Sequence, residues 1–244
     1  MYDIDLNANF IKFLIISDTH IGNKKADMDL IYKAYEYAYS QNIYYVIHLG
    51  DVLDSIMLNN KNDLKIHDPN KQMKYVYNEY PYSDDIKTLM LFGNHDYFHY
   101  KNFNCNIEKE MKKRDDIISL GYGESFLNIN DNYIKLSHDI PYLKGYKMNV
   151  HTFLSFLGHY HGYKINVSDN YLSVNVPSLS YVGTFQNTNI PSMLEVTIYF
   201  KEKIFDCVKI KCLDVQNGTI NNDFSFVNNI PIKEHNKIKE KLRK

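Results

Sequence analysis

Three features of the 244-residue sequence predict an α/β fold. Short apolar runs rich in Ile, Leu and Val alternate with a helix-periodic segment early in the chain. Each run gives way to a polar cluster carrying Asp or His. The clusters recur in order, with glycine beside them. Strand–helix–strand order implies parallel pairing with right-handed crossovers.

The elements follow from local pattern. Ile11 to Ser17 is a short apolar run, expected as a buried strand. From Ala26 to Gln41, Leu30, Ala34, Tyr37, Ala38 and Gln41 recur at helical spacing, which predicts an amphipathic helix. Ile43 to Leu49 and Lys87 to Phe92 are two more buried strands. Between them Ser55 to Asp85 is polar, with helix expected around Asn70 to Glu79. After about Ile117 the texture changes to β-like runs at Phe126–Ile129, Tyr133–Ser137, Phe153–Leu157, Tyr171–Val176, Leu194–Phe200 and Lys203–Ile210. These are expected to pair in a more antiparallel manner. One domain is expected over residues 1–232, followed by a tail from Lys233 to Lys244 with six basic and two acidic residues. A solvated terminal helix and an anion-binding tail both fit that composition.

Composition narrows the function classes. Net charge is 28 − 29 = −1, unlike a strongly basic nucleic-acid coat. The three cysteines, an odd number without a CxxC pair, argue against a secreted disulfide framework. No run reaches the ~20 apolar residues of a membrane span, and Met1 to Phe10 lacks the basic and apolar regions of a signal peptide. A cytoplasmic, reducing location is expected, and the sequons at Asn166 and Asn217 are read as chance. The 22 tyrosines imply that Tyr takes core positions. Arginine occurs only at Arg114 and Arg243, and Lys112-Lys113-Arg114 is expected to be a solvated helix face.

The polar clusters carry the chemistry. The first strand ends in Ser17-Asp18-Thr19-His20, the second in Gly50-Asp51-Val52-Leu53-Asp54, the third in Gly93-Asn94-His95-Asp96. Ligands of parallel α/β sheets bind at the carboxyl ends of strands. In extended backbone, residues i and i+2 point the same way, so Asp18 and His20 can grip one ion. Gly158-His159-Tyr160-His161 repeats that arrangement. Of ten histidines, His20, His95, His138, His159 and His161 fall in or beside such clusters.

The order D-x-H, G-D-x-x-D, G-N-H-D, a later His and G-H-x-H resembles the calcineurin-like metallophosphoesterases, from about Lys12 to Val182. The resemblance implies an α/β/β/α sandwich of two mixed β-sheets flanked by helices. It implies a two-metal site: Asp18, His20 and His161 on one ion, Asn94, His138 and His159 on the other, and Asp51 bridging. Oxygen donors mixed with imidazole suit Mn, Fe, Zn or Co, with Mn²⁺ the expected activator in vitro. Two ions about 3.5–4 Å apart can generate a bridging hydroxide nucleophile and polarise phosphoryl oxygens. His95 would protonate the leaving oxygen or stabilise developing charge, and Asp54 would orient it.

Some positions depart from the family pattern. Ser137-His138-Asp139 stands where many relatives have Gly-His, and a satisfied sheet-edge histidine is the alternative for His138. Ser55 follows Asp54 where the family's protein phosphatases carry Arg, and Asp96 replaces Glu. Neither fits a protein phosphatase of that type. Asn175-Val176-Pro177-Ser178 is either a support for the site or a plain turn. Tyr97, Phe98 and Tyr100 either pack in the core or line a pocket for an aromatic leaving group.

The leading expectation is hydrolysis of a small phosphoester, diesters preferred over monoesters, because no Arg adjoins a motif. A DNA repair nuclease of the SbcD type is an alternative; nucleic acid remains a conceivable partner, although no basic stripe indicates it. A non-catalytic scaffold, like the retromer subunit on this fold, is a further alternative. No membrane partner is expected, and oligomeric state is not legible.

Overall fold

The structure is a computed structural model that describes residues 1–57, 60–140, 152–168, 171–183 and 190–227. The expected basic tail from Lys233 to Lys244, with the domain end at residue 232, lies outside the described residues. In chain order the elements are β1 (Tyr2–Ile4), β2 (Phe10–Ile16), α1 (Met28–Ser40), β3 (Tyr45–Leu49), α2 (Pro69–Glu79), β4 (Lys87–Phe92), α3 (Asn94–Phe103), α4 (Ile107–Met111) and β5 (Ile117–Tyr122). There follow β6 (Glu124–Ile129), β7 (Asn132–Ser137), β8 (Thr152–Leu157), β9 (Lys164–Ser168), β10 (Tyr171–Asn175), β11 (Ser192–Lys201), β12 (Ile204–Asp214) and β13 (Ile220–Val227).

The strands form two mixed sheets. One has seven strands in the order β13-β12-β11-β2-β3-β4-β5, with β2 to β5 mutually parallel. The other has six, in the order β1-β6-β7-β8-β10-β9. The later strands pair in a more antiparallel manner than the early ones, as expected, at β6–β7, β9–β10, β11–β12 and β12–β13, but β7–β8 and β8–β10 of this sheet pair parallel. The β7–β8 pair needs its crossover connection for that reason, and it brings two carboxyl ends side by side.

Strand alternation builds two cores. In β2, Ile11, Phe13 and Ile15 face the second sheet and join Ile47, Leu89, Leu136, Phe156 and Val196. Leu14 and Ile16 face the helices and join Leu30, Ile31, Ala34 and Val46. Both faces are covered, so the central strands read as nearly unbroken apolar runs. The Asp27 side chain caps α1 by accepting from Asp29 N, and Leu30, Ile31, Ala34, Tyr35 and Ala38 supply its buried face. Asp68 caps α2, with Pro69 in the first turn.

The Lys112-Lys113-Arg114 segment corrects an expectation. Lys112 and Lys113 form exposed ion pairs with Glu108 and Glu110, but the Arg114 side chain is only 8% exposed and pairs with buried Asp116. Arg114 also donates to the carbonyls of Tyr77, Tyr80 and Pro81. It is a buried staple rather than part of a solvated face.

Candidate metal centre

The two sheets deliver their carboxyl ends to one edge. Asp18 and His20 follow β2, Asp51 follows β3, and Asn94 opens α3 directly after β4. His138 follows β7, and His159 and His161 follow β8. Five of these seven residues hold a left-handed backbone: Asp18 (φ 54°), His20 (φ 47°), Asp51 (φ 51°), His159 (φ 79°) and His161 (φ 59°). For a residue with a Cβ this costs about 1–2 kcal/mol each, and such strain clusters where function demands it. Backbone hydrogen bonds enforce it: Asp18 N donates to Gly50 O, His20 N to Asp51 O and Ile21 N to Val52 O. Gly50 (φ +89°) is required, since a Cβ there would lie 2.6 Å from His138 Nδ1. At Gly93 a Cβ would collide with the Asp51 carboxylate.

The donor atoms converge in two groups. In one, His161 Nε2 lies 3.4 Å from Asp18 Oδ1 and 3.3 Å from His20 Nε2, which is 3.9 Å from Asp51 Oδ2. In the other, His138 Nε2 lies 3.2 Å from Asp51 Oδ2 and 3.0 Å from Asn94 Oδ1, and His159 Nδ1 lies 2.8 Å from Asn94 Oδ1. Donors about 2.0–2.2 Å from one ion lie roughly 3–3.6 Å apart, so both groups have the spacing of a coordination shell. Asp51 Oδ2 sits in the second group and reaches toward the first at the longer distance to His20.

The imidazole tautomers also fit. His20 Nδ1 donates to Asp54 Oδ1 (2.9 Å), His138 Nδ1 to Leu49 O (2.6 Å) and His161 Nδ1 to Val182 O (2.8 Å). With each Nδ1–H spent on an acceptor, each Nε2 presents its lone pair to the cluster, as a ligating histidine must.

A third group, His20, Asp54 and His95, has similar spacing but its lone pairs are spent. Asp54 Oδ2 accepts from Asn23 Nδ2 (2.9 Å) and Asn60 Nδ2 (3.0 Å), and Oδ1 accepts from His20 Nδ1. The expectation that Asp54 orients His95 is therefore refined. His95 Nδ1 meets the Asp54 backbone carbonyl at 2.5 Å and its carboxylate only at 3.3 Å, while the carboxylate's shorter bond goes to His20. His95 Nε2 faces the centre, 4.0 Å from Asp51 Oδ2.

The electrostatics are those of an anionic cluster. Burial pushes the Asp18 carboxyl up, but the His161 hydrogen bond and the charges of His138 and His161 outweigh it and hold it at about 2. Burial likewise opposes ionisation of Asp51, and His138 and His95 hold it well below the usual range. Burial disfavours a proton on His138, yet Asp51 raises it to about 9. His95 is raised to about 10, Asp51 and Asp54 prevailing over burial. Cationic charge is drawn to this site, and a bound cation would displace the proton of His138.

Of the residues that support the site, sequence reasoning offered only Ser178, as one of two readings of its segment, and missed the others. Asp96 is wholly buried and accepts from Val52 N, Leu53 N and Gly93 N, tying the second motif to the third. Asn23 and Asn60 fix Asp54. Ser178 and Ser180 hydroxyls both donate to Asp18 O at 2.9 Å. The third motif's fourth position was the one signal for Asp96; Asn23 and Asn60 had none in an Asn-rich chain. Tyr97 and Phe98 are half-buried, and Tyr100 stacks on Tyr122.

Comparison with known proteins agrees with this architecture. A dimetal phosphatase from Danio rerio superposes with a TM-score of 0.54 at 10% identity, covering 89% of this chain and 99% of that one. Vacuolar protein sorting 29 from Cryptosporidium parvum gives 0.51 at 14%, covering 91% and 100%. A novel archaeal phosphodiesterase gives 0.48 at 18%, covering 88% and 100%. For the first two, at these identities, the likeness is one of fold. No curated protein sequence matches the chain. The sequence itself matches the calcineurin-like phosphoesterase family over residues 11–191, the span that holds every motif and every convergent donor described above, and the chain belongs to that family.

Proposed function

We propose that the protein is a phosphoesterase that works with two divalent transition-metal ions and prefers diesters to monoesters. The observation that carries this reading is the set of three imidazoles, His20, His138 and His161, each with Nδ1–H spent and Nε2 turned to a buried carboxylate, His20 and His138 to Asp51 and His161 to Asp18. Asp18, His20 and His161 would hold one ion, Asn94, His138 and His159 the other, and Asp51 both. Mixed oxygen and imidazole donors favour Mn, Fe, Zn or Co, with Mn²⁺ the natural choice for assay. Such ions supply Lewis acidity, lowering the pKa of the attacking water and neutralising phosphoryl charge. His95 holds a proton on the face of the centre and gives it to the leaving oxygen. The Asp54 carbonyl fixes its ring through Nδ1.

The diester preference rests on the missing clamp. A monoester dianion is commonly held by an Arg fork. Arg114 is spent on Asp116 and three carbonyls, and Lys24 Nζ donates to Asn62 O. Arg243 lies outside the described residues. The substrate class is a small phosphoester, and a cytoplasmic setting suits a chain with three free thiols.

The test is kcat/KM for bis-p-nitrophenyl phosphate against p-nitrophenyl phosphate with Mn²⁺, alongside single-stranded DNA. Diester hydrolysis should be faster. A tenfold monoester preference overturns the diester assignment, and no hydrolysis of any of these at metal saturation favours the scaffold alternative.

A further inference from the structure

Behind the donor cluster, on the helix-facing side of the seven-stranded sheet, lies a histidine that touches none of the convergent donors. His48 is wholly buried in β3, opposite Ile16 of β2 and Met90 of β4, with its ring 6.2 Å from that of Tyr80. Its Nε2 meets Thr19 Oγ1 at 3.0 Å. Thr19, also buried, stands between Asp18 and His20 in the chain.

The hydrogen bonds leave one arrangement. Thr19 has a single hydroxyl proton, and Val52 O at 2.9 Å can only accept it. Oγ1 is then an acceptor toward His48, so Nε2 carries the proton. Among the described residues no group meets His48 Nδ1. A bare lone pair there is tolerable, whereas a buried N–H without an acceptor is costly. Burial keeps the ring neutral by pushing it down to about 3. The Nε2–H tautomer therefore satisfies both sites at once.

The chain His48–Thr19–Val52 crosses from β3 through the first motif to the second. Thr19 is flanked by two residues with left-handed backbones, Asp18 and His20, and Val52 follows a third, Asp51. Without His48 the Thr19 hydroxyl loses one of the two bonds that fix its rotamer, and with it one of the side-chain ties on a strained segment that Ser178, Ser180 and Asp96 also hold. We infer that His48 is a positioning residue that acts through Thr19 to hold Asp18, His20 and Asp51 in the conformation that binds metal. This role rests on the metal-centre reading above.

The experiment is calorimetric titration of metal-free protein with Mn²⁺, without substrate, for wild type, Thr19→Val, His48→Leu, His48→Gln and the double variant Thr19→Val/His48→Leu. Loss of an outer partner of this kind commonly weakens metal binding about 10–100-fold. Thr19→Val and His48→Leu should each do so. His48→Gln, whose amide N–H can replace Nε2–H, should restore most of the affinity. The double variant should bind no more weakly than the weaker single, because both changes cut one chain. Nitrogen-15 NMR of the His48 ring should show the neutral Nε2–H tautomer.

Wild-type affinity in Thr19→Val, multiplicative losses in the double variant, failure of Gln to restore, or an Nδ1–H tautomer would each overturn the inference. Thr19→Val, close to isosteric, keeps the test readable if His48→Leu does not fold. Wild-type protein that takes up no Mn²⁺ would overturn the metal-centre reading itself. Normal uptake with insensitive variants would overturn only the role of this pair.

Discussion

The parallel strands of the seven-stranded sheet end in a buried polar cluster at each end, and the two are built on opposite rules. At the amino end, beside β4 and β5, Arg114 spends its donors on both oxygens of Asp116 and on the carbonyls of Tyr77, Tyr80 and Pro81. That network is closed: charge meets charge, and the backbone near it is ordinary. At the carboxyl end, Asp18, Asp51, Asn94 and three imidazole Nε2 atoms face one another across about 3–4 Å, with lone pairs turned inward and the backbone strained. Among the described residues the ion pairs of those carboxylates come from imidazoles, and no lysine or arginine closes the arrangement. A closed cluster contributes stability; an open one is held ready for a ligand.

Breaking each cluster should therefore damage different properties. The largest effect is expected from Asp51→Asn, which removes the carboxylate that sits in one donor group and reaches toward the other. It should lose at least one ion per chain and several kcal/mol of transition-state stabilisation, more than about 10³-fold in rate, while circular dichroism shows a folded protein. His95→Asn comes next: about 10²–10⁴-fold in kcat with both ions retained. That loss should shrink for leaving groups of low pKa, and an equal loss across leaving groups would assign His95 to charge stabilisation instead.

At the closed end the currency changes. Arg114→Met strands a buried Asp116 carboxylate and should cost about 3–5 kcal/mol, a drop in Tm of about 6–20 °C for a chain this long. Metal stoichiometry should not move. A variant that lost metal without losing stability would break the distinction between the two clusters.

The smallest effect is a pH dependence confined to the open end. His138 and His95 are raised to about 9 and about 10 from 6.5, so the stability they contribute is complete below pH 6.5 and is lost as pH rises through those values. Asp18 is depressed to about 2 from 3.8, so its contribution is present above pH 3.8 and is lost as pH falls through about 2. Metal-free protein should show its highest Tm between those limits and decline toward pH 10. Mn²⁺ replaces the His138 proton, so loaded protein should show a weaker alkaline decline in the same thermal scans.

The contrast also explains what the sequence makes legible. Strands β2, β3 and β4 are buried on both faces and read as unbroken apolar runs, so their ends, and the donors on them, are visible. Strands β9 and β13 are sheet edges, mostly exposed, with polar sequences KINVS and INNDFSFV that carry no such run. Helix α3, of sequence NHDYFHYKNF, lacks helical periodicity. Asp96, accepting from Gly93 N, and the motif's own geometry place it. The donors were legible because their residue types are chemically distinctive. Arg114 was misread because a cation beside two exposed lysines gives no sign, in sequence, of the carbonyls that fold around it.

The central claim is that the open cluster is a two-metal centre. Its most direct test is the metal content of protein saturated with Mn²⁺ and freed of excess by gel filtration, measured by elemental analysis. Two ions per chain are predicted; a chain that stays metal-free in excess Mn²⁺ and Zn²⁺ would contradict it.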